Sequence, residues 1–295
     1  MNKFAVYNVV ASSTGSHILL GDHEHNVAAY DLHNNVCSKI IKTTFDGDRL
    51  ALSDEFSIII AGAHHVHGLA AYSLDEGSEQ WRRKDIKKVQ SINLSSNGAV
   101  AYCEREDASL VVIDVQNGEL QRTVRGAEAV YDSKYDDVKF VDAHKPYLLD
   151  SDMKRISYIE KTSFAILGAV FAPGLLFISE SCGPIRCFDI ASGKEQWRYN
   201  PEKGSHVLEL GYHLERSSLL SIEWPKVRGG DYRLLRLTLE EGKILDSFPI
   251  NEGGSCCFAL DGQILAVARG QKGMEIINTG TGAVKAFIDL GDERT

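Results

Sequence analysis

The chain has few prolines, no long apolar run and none of the short motifs that mark the best-known enzyme classes. Six prolines among 295 residues, without a polar low-complexity tract, leave little room for disorder. No apolar stretch approaches the roughly 18 residues of a membrane-spanning helix, and the first ten residues lack the apolar core of a secretory signal. A phosphate-binding loop, a Gly-x-Ser-x-Gly elbow, a Gly-x-Gly-x-x-Gly turn and a His-Glu-x-x-His helix are absent. We therefore expect an ordered, cytoplasmic protein that belongs to no motif-defined enzyme class.

Paired cysteines and positive charge are also scarce. The six cysteines form no Cys-x-x-Cys pair, and most lie inside apolar runs, so we expect reduced, buried thiols. The 32 lysines and arginines are outnumbered by 41 acidic residues, which gives a net charge of −9. Such a charge disfavours binding to the phosphate backbone of nucleic acid and favours a basic partner.

The chain does contain a repeat, which consists of seven short apolar runs that each end in a small polar or acidic residue. Their last residues follow one another in steps of 42, 41, 46, 29, 49 and 40, and a four-stranded propeller blade takes about 40–45 residues. The sequence therefore predicts an all-β fold, a seven-bladed β-propeller of four-stranded antiparallel blades that forms one domain over residues 1–295. The runs are residues 27–31, 69–73, 110–114, 156–160, 185–189, 234–238 and 274–278.

The fourth repeat departs from the pattern of the others. In the third repeat, residues 91–124 predict three strands and a more polar outer strand, separated by turns. The turn after the apolar run usually holds a glycine, such as Gly118, because a tight connection needs positive φ. The fourth repeat has residues 161–163 there, without a glycine, and the step of 29 residues follows it. We therefore predict that blade four is irregular, with an outer strand that is truncated or merged into the next blade.

Two repeats carry a tryptophan after the glycine turn. They read AYSLDEGSEQWR at residues 71–82 and CFDIASGKEQWR at residues 187–198. These segments resemble the A-x-D-x-x-T-G-x-x-x-W repeat of quinoprotein-like propellers, and the Ser-x-x-Gly turns at residues 12–15 and 95–98 resemble those of WD-repeats. No copy has a strict Trp-Asp or Gly-His signature. The resemblance implies the propeller fold and no particular activity, because propellers host many unrelated functions.

Histidines in the loops of blades one and two form the first candidate site. In a propeller, the loops between second and third strands lie on one face, where they present binding groups on a rigid scaffold. Imidazole is a ligand for zinc, copper and nickel, and a nearby carboxylate would complete such a set. We expect no cofactor, and a solvated histidine-rich rim needs none; a divalent transition metal is the alternative. Its ligands would be His23, His25, His65 and His67, with Asp22 or Glu24.

Two other segments are candidates for contact with a protein partner, and we expect them on the same face. The first is the long loop of blade six, whose aromatic and arginine side chains are enriched at interface hot spots. The alternative is that its tryptophan packs onto its own blade and that the loop is only solvated. The second is a long connection between blades three and four, with tyrosines and aspartates that suit a basic surface or form a solvated acidic loop. The candidates are Trp224, Lys226, Arg228 and Tyr232 in the first, and Tyr131, Asp132, Tyr135, Asp136 and Asp137 in the second.

These observations favour a non-catalytic, protein-binding propeller that docks a basic protein partner on its loop face. In a more specific form it is an inhibitor or immunity protein that neutralises a toxin. The competing hypothesis is a metal-assisted hydrolase of the propeller lactonase type, because such enzymes assemble their sites from residues scattered around the central mouth. Neither nucleic acid nor a membrane is an expected partner.

Overall fold

Every secondary-structure element in the described part of the chain is a β-strand. The computed structural model describes residues 4–44, 49–63, 68–160, 162, 165–202, 205–224, 232–251 and 254–289. Within these ranges 29 strands form seven antiparallel sheets. The same ranges hold no helix of the length and apolarity needed to cross a membrane. The prediction of an all-β, seven-bladed propeller is confirmed.

Each blade consists of strands that are consecutive in the chain, with the first strand innermost and the last outermost. Blade one contains β1 (Asn8–Ala11), β2 (His17–Gly21), β3 (Asn26–Asp31), β4 (Val36–Cys37) and β5 (Ile41–Lys42); blade two β6 (Leu50–Ser53), β7 (Ile58–Gly62), β8 (Leu69–Ser73) and β9 (Glu79–Arg83); blade three β10 (Val89–Leu94), β11 (Val100–Arg105), β12 (Ser109–Asp114) and β13 (Leu120–Arg125); blade four β14 (Ala127–Asp132), β15 (Val138–Ala143), β16 (Tyr147–Asp150) and β17 (Arg155–Tyr158); blade five β18 (Ile166–Ala172), β19 (Leu175–Glu180), β20 (Ile185–Asp189) and β21 (Glu195–Tyr199); blade six β22 (His206–His213), β23 (Ser218–Trp224), β24 (Tyr232–Thr238) and β25 (Ile244–Ile250); and blade seven β26 (Cys256–Ala259), β27 (Ile264–Ala268), β28 (Met274–Asn278) and β29 (Val284–Ile288).

A hydrophobic cluster joins each pair of neighbouring blades, so that seven clusters close the ring. Second and third strands supply most of the buried side chains because each sheet is covered on both faces, and their sequences therefore run continuously apolar. The cluster between blades one and seven packs Leu20 with Met274. Beside it, the N–H groups of Val6 and Gly270 each donate to the other residue's carbonyl, at 2.9 and 2.8 Å. The ring thus closes without a strand shared between the two ends of the chain.

The outer strand of one blade also packs on the glycine turn of the next blade. The Trp81 indole N–H donates to the Val115 carbonyl at 2.8 Å, across the interface between blades two and three. Gly118 lies beneath this ring with φ of 73°, and a Cβ there would approach the indole to 2.6 Å. Trp197 covers Gly242 in the same way between blades five and six. Both the backbone conformation and the close contact therefore require glycine in these turns.

Blade four corrects one strand assignment. The apolar run at 156–160, expected to be a third strand, overlaps the outer strand β17, and the third strand is β16. When the third strand of blade four is taken to end at residue 150, its spacing from the third strand of blade three is 36 residues (150 − 114), and its spacing from that of blade five is 39 (189 − 150). Both spacings are close to those of the other blades. Strand β16 was missed because it contributes only three apolar residues, Tyr147 to Leu149. The blade is irregular in that β16 and β17 have four residues each, but its outer strand is not merged into blade five.

The two faces of the ring carry different connections. We call the face with the second-to-third-strand loops and the connections between blades the upper face, and the face with the first-to-second and third-to-fourth-strand turns the lower face. Turns on the lower face bond directly to one another: Ser13 N–H donates to Leu52 O at 2.9 Å, and Leu214 N–H donates to Asp261 O at 3.0 Å. Blades are also joined on the upper face, where Val89 N–H donates to Ala63 O at 3.0 Å.

Candidate functional site

Most of residues 125–137 do not form the predicted connecting loop. Strand β14 occupies Ala127–Asp132, so Tyr131 and Asp132 lie on an innermost strand. Tyr135, Asp136 and Asp137 lie in the following turn, which is on the lower face and therefore opposite Trp224. The alternation that would reveal the strand is broken by a β-bulge between Ala127 and Ala129. The expectation that both partner-binding segments share one face is wrong.

The aspartates of this segment join neighbouring blades. Asp132 accepts a hydrogen bond from the Ser96 N–H of blade three at 3.0 Å. Asp136 accepts one from the Gly174 N–H of blade five at 3.1 Å. Asp137 alone of the three has an exposed side chain. These contacts give Asp132 and Asp136 a role in the scaffold, and their role in partner binding stays a prediction.

The two tyrosines of the segment line the central channel towards its lower end. Tyr131 stacks against Phe140 with ring centres 6.0 Å apart, and burial raises the pKa of its hydroxyl. Tyr135 meets Tyr212 edge to face at 5.4 Å. Burial, with a smaller contribution from Asp261, raises the pKa of Tyr135 to about 12. Both hydroxyls are therefore neutral at physiological pH, and the rings act as channel walls.

Trp224 ends strand β23 on the upper face, where its side chain is 42% exposed. Its ring lies 6.2 Å from those of both His206 and Tyr232. Tyr232 begins strand β24 and is buried, so it supports the indole rather than extending into a loop as predicted. Within the described ranges the Trp224 indole donates no hydrogen bond, unlike those of the other two tryptophans. The remaining candidates of this loop, Lys226 and Arg228, lie outside the described residues.

An ion-pair network holds the hairpin that carries Trp224. The carboxylate of Glu223 is fully buried and binds Arg233 at 2.7 Å, and it accepts a hydrogen bond from the Tyr199 hydroxyl at 2.7 Å. Arg233 also binds the exposed Glu202 at 2.9 Å. These charge-assisted hydrogen bonds fix the two strands relative to each other. The exposed indole is therefore presented on a rigid support.

The predicted histidine site is only partly described. The ring of His23 stacks on Tyr7 with centres 4.1 Å apart. Asp22 is buried, and its carboxylate accepts two backbone N–H groups of its own loop, each at 2.8 Å. His25 adopts φ of 67°, in the left-handed region. Across the ranges that the structure describes, no three His, Cys, Asp or Glu side chains are grouped to hold a metal ion. The metal stays a prediction, because His65 and His67 lie outside those ranges.

One arrangement on the lower face superficially resembles a catalytic triad. Ser16 Oγ and Asp54 Oδ1 lie 2.9 and 2.8 Å from His17 Nδ1. Both contact the same ring nitrogen, whereas a triad needs the serine and the carboxylate hydrogen-bonded to opposite nitrogens. The carboxylate on the side of Nε2 is Asp31, and at 3.9 Å it is too far away for a hydrogen bond. Although burial opposes it, hydrogen bonds from Ser12, Thr14 and the histidine hold the pKa of Asp54 below its usual range. The group joins the turns of blades one and two and is structural.

The central channel holds a group of carboxyls that the sequence did not bring together. They line a cavity of about 310 Å³, which lies between two further channel cavities of about 270 and 410 Å³. We call it the acidic cavity. None of its lining residues is lysine, arginine or histidine. Its polar wall comes from blades three, four and six and consists of Ser91, Asn93, Glu104, Glu128, Tyr131, Asp142 and Glu209.

Backbone bulges shape this cavity. The innermost strands of blades three to six each have a register shift near their upper ends. In blade four the extra residue is Glu128, and a bulge re-aims the side chain of the residue it inserts. Since bulges interrupt the two-residue period of a strand, no periodic pattern in the sequence assigns these side chains to the channel. Convergence of four carboxyls from separate repeats is thus a property of the closed ring.

Burial and mutual repulsion favour the neutral form of these carboxyls. Burial raises the pKa of Glu209 to about 8. Burial, together with the charges of Glu128 and Glu104, raises the pKa of Asp142 to about 7. Burial also raises the pKa of Glu104, although a hydrogen bond from the Ser91 hydroxyl at 2.8 Å opposes it. Around neutral pH the cavity therefore exchanges protons readily.

We expect the double variant Asp142→Asn, Glu209→Gln to gain stability over the natural protein as the pH rises. A carboxyl whose folded-state pKa is raised keeps a proton that the unfolded chain has already lost, so ionisation between pH 5.5 and 8 costs folding free energy. One pKa unit corresponds to about 1.4 kcal/mol. With pKa values of about 7 for Asp142 and about 8 for Glu209, we expect the gain to be larger at pH 8 than at pH 5.5 by roughly 2 kcal/mol from Asp142 and roughly 3 kcal/mol from Glu209, about 5 kcal/mol together. Urea unfolding at both pH values measures it, and a gain independent of pH would contradict the assignment.

Comparison with known proteins yields the fold and nothing finer. No protein-family model matches this chain, and neither does any curated protein. Among solved structures, it is similar to hydrazine synthase of Kuenenia stuttgartiensis, with a TM-score of 0.72 and 11% identity over 94% of this chain and 96% of that chain. It is also similar to the computationally designed Ika8 protein, with a TM-score of 0.67 and 14% identity over 99% of this chain and 89% of that chain. Likeness at these identities concerns the propeller fold alone.

Proposed function

We propose that this protein is a non-catalytic, protein-binding propeller whose upper face docks a basic protein partner around Trp224. One observation carries the proposal: of the three tryptophans, Trp224 is the one that makes no hydrogen bond to a neighbouring blade within the described ranges, and its side chain is 42% exposed on the upper face. Tryptophan is the residue type most enriched at interface hot spots. A rigidly supported indole on an open face suits docking of a protein.

Charge supports a basic partner. The chain carries a net charge of −9, from 41 acidic residues against 32 lysines and arginines. An excess of negative charge on the protein steers positively charged partners and raises their rate of association. Binding should therefore weaken as salt is added, because screening shortens the range of this attraction.

Three more specific features belong to this proposal: an inhibitor role, a repeat type and a cellular location. An inhibitor or immunity protein that masks a basic toxin is its most specific form, and size and acidity suit that role. Quinoprotein-like repeats are supported by the equivalent contacts of Trp81 and Trp197 with the glycine turns of the next blade. A cytoplasmic location is supported by the six cysteines, all of them free thiols. No cofactor is required.

The test compares three forms of the protein against one partner. The natural protein is used to isolate a partner, and the dissociation constant of that purified partner is then measured for Trp224→Ala and for Phe287→Ala. Phe287 is an equally exposed aromatic side chain, 48% exposed, on the outer strand of blade seven. We expect Trp224→Ala to weaken binding by about 30-fold, the equivalent of roughly 2 kcal/mol for a hot-spot residue, and Phe287→Ala to leave it unchanged.

Two results would count against the proposal. Equal binding by all three forms would remove the upper face around Trp224 as the docking surface. Affinity that does not fall between low and physiological salt would remove the basic partner, because complementary charge makes association depend on ionic strength.

A further inference from the structure

We infer that the acidic cavity binds an alkylammonium cation, the chemistry of a small aliphatic diamine. The inference does not rest on the docking surface around Trp224. It starts from Asp142, which ends strand β15 and is only 7% exposed. Within the described ranges its carboxyl has no hydrogen-bond or ion-pair partner, and the charges that act on it are those of Glu128 and Glu104.

A buried carboxyl in this state costs folding free energy unless a cation or a donor reaches it. The residues that line the cavity include no lysine, arginine or histidine, and none of their hydroxyl or amide groups bonds to Asp142. Arg49 lines the adjoining channel cavity, and its charge acts on Glu104. Across the cavity, the half-buried Glu209 of blade six and the exposed, bulged Glu128 also have no hydrogen-bond or ion-pair partner in the described part of the chain. A buried carboxyl without a partner that shares one open space with these two points to positive charge that arrives with a ligand.

The spacing of the carboxyls argues for an organic cation over a metal ion. A divalent metal needs several oxygen ligands within about 2.0–2.6 Å of one point, and no three acidic, histidine or cysteine side chains in the described ranges are grouped in that way. The carboxyls instead surround a cavity of about 310 Å³, at the lower end of the range of about 300–1,000 Å³ typical of small-molecule sites. Negative charge distributed over such a space suits a ligand with separated positive ends.

The remaining walls suit an alkyl chain. Blade five contributes Ile166, Leu167 and Ala169, and blade six contributes Leu210, all beside the carboxyls. Methylene groups that leave water for such a wall contribute to affinity in proportion to the area they bury. The ring of Tyr131 also lines the cavity, and an ammonium group is attracted to the face of an aromatic ring. The ligand reaches the cavity from the upper end, where Glu128 and Leu167 are exposed.

Calorimetric titration with 1,4-diaminobutane at pH 8 and low salt tests the inference on the whole protein. Nα-acetyl-lysine amide represents the same ammonium group on a lysine side chain, 1,4-butanediol is the uncharged analogue, and magnesium chloride supplies positive charge without an alkyl chain. We expect the diamine to bind at one site, and the diol and magnesium ion not to bind there.

Matched variants locate the site. Asp142→Asn and Glu209→Gln should each weaken diamine binding at least tenfold, which corresponds to about 1.4 kcal/mol. Glu240→Gln removes the same charge from an exposed turn on the lower face and should leave binding unchanged, as should Trp224→Ala. Thermal melts followed by circular dichroism verify that each variant is folded, and the two cavity variants are expected to be at least as stable as the natural protein.

Each outcome is decisive. Tighter binding of the diamine than of the lysine derivative identifies a free amine as the ligand, and the reverse order identifies a lysine side chain of a protein partner; both support an alkylammonium site. Absence of binding by both compounds overturns the inference. A loss of diamine affinity in Glu240→Gln as large as that in Asp142→Asn also overturns it, because binding would then depend on overall charge and not on the cavity. Binding of magnesium ion with an affinity similar to that of the diamine would overturn it as well.

Discussion

Replacing Arg186 with methionine is expected to lower the free energy of unfolding by roughly 3–5 kcal/mol, the cost of removing one partner from a buried ion pair. Arg186 lies on strand β20 with its guanidinium 4% exposed. It binds Glu195 at 2.5 Å and Glu180 at 3.3 Å, and it lies 4.8 Å above the ring of Phe188. Methionine fills a similar volume without charge. The loss would follow mainly because Glu180, 1% exposed, loses the guanidinium that lies 3.3 Å from its carboxylate.

Two variants separate this effect from a general loss of charge. Arg198 binds the same Glu195 at 2.7 Å, but its side chain is 51% exposed. Arg198→Met should therefore cost less than about 1 kcal/mol, as surface ion pairs do. Adding Glu180→Gln to Arg186→Met should recover part of the loss, because it removes the carboxylate that faced the guanidinium. Equal effects of Arg186→Met and Arg198→Met in urea unfolding would show that burial of the pair does not matter.

Replacing Trp197 with alanine is expected to lower the free energy of unfolding by about 2–4 kcal/mol, through loss of packing and of one hydrogen bond. Its indole N–H donates to the Leu239 carbonyl of the next blade at 2.6 Å, and its ring lies 5.7 Å from that of Phe177. Only an interface between blades is affected, because Trp197 belongs to the outer strand of blade five and Leu239 to the turn of blade six.

The exposed tryptophan is the control for this prediction. Trp224→Ala removes the same side chain from the upper face and should change stability by no more than about 0.5 kcal/mol. Gly242→Ala probes the Trp197 contact from the other side, since a Cβ there would lie 2.5 Å from the indole; it should also destabilise. Similar small effects of all three substitutions would mean that tryptophan packing between blades is unimportant for this propeller.

The candidate sites were predictable to different degrees. Trp224 was named from residue type and loop length, and its exposure on the upper face agrees with that reasoning. The segment at 125–137 was misread, because the bulge at Glu128 hides a strand that would otherwise alternate. Tyr232 is predicted as a loop residue but begins strand β24, because its ring is apolar and the strand continues through Arg233 into a pair of leucines.

The sequence by itself determined the repeat, the number of blades and the acidic character of the protein. Strand periodicity and turn glycines depend on local backbone conformation and on burial within a blade, and both are written within about 40 residues. Only the tertiary structure decided that Glu104, Glu128, Asp142 and Glu209 share one cavity. These carboxyls come from three blades, and closure of the ring brings them together. No local pattern records that proximity, because it depends on packing between residues far apart in the chain.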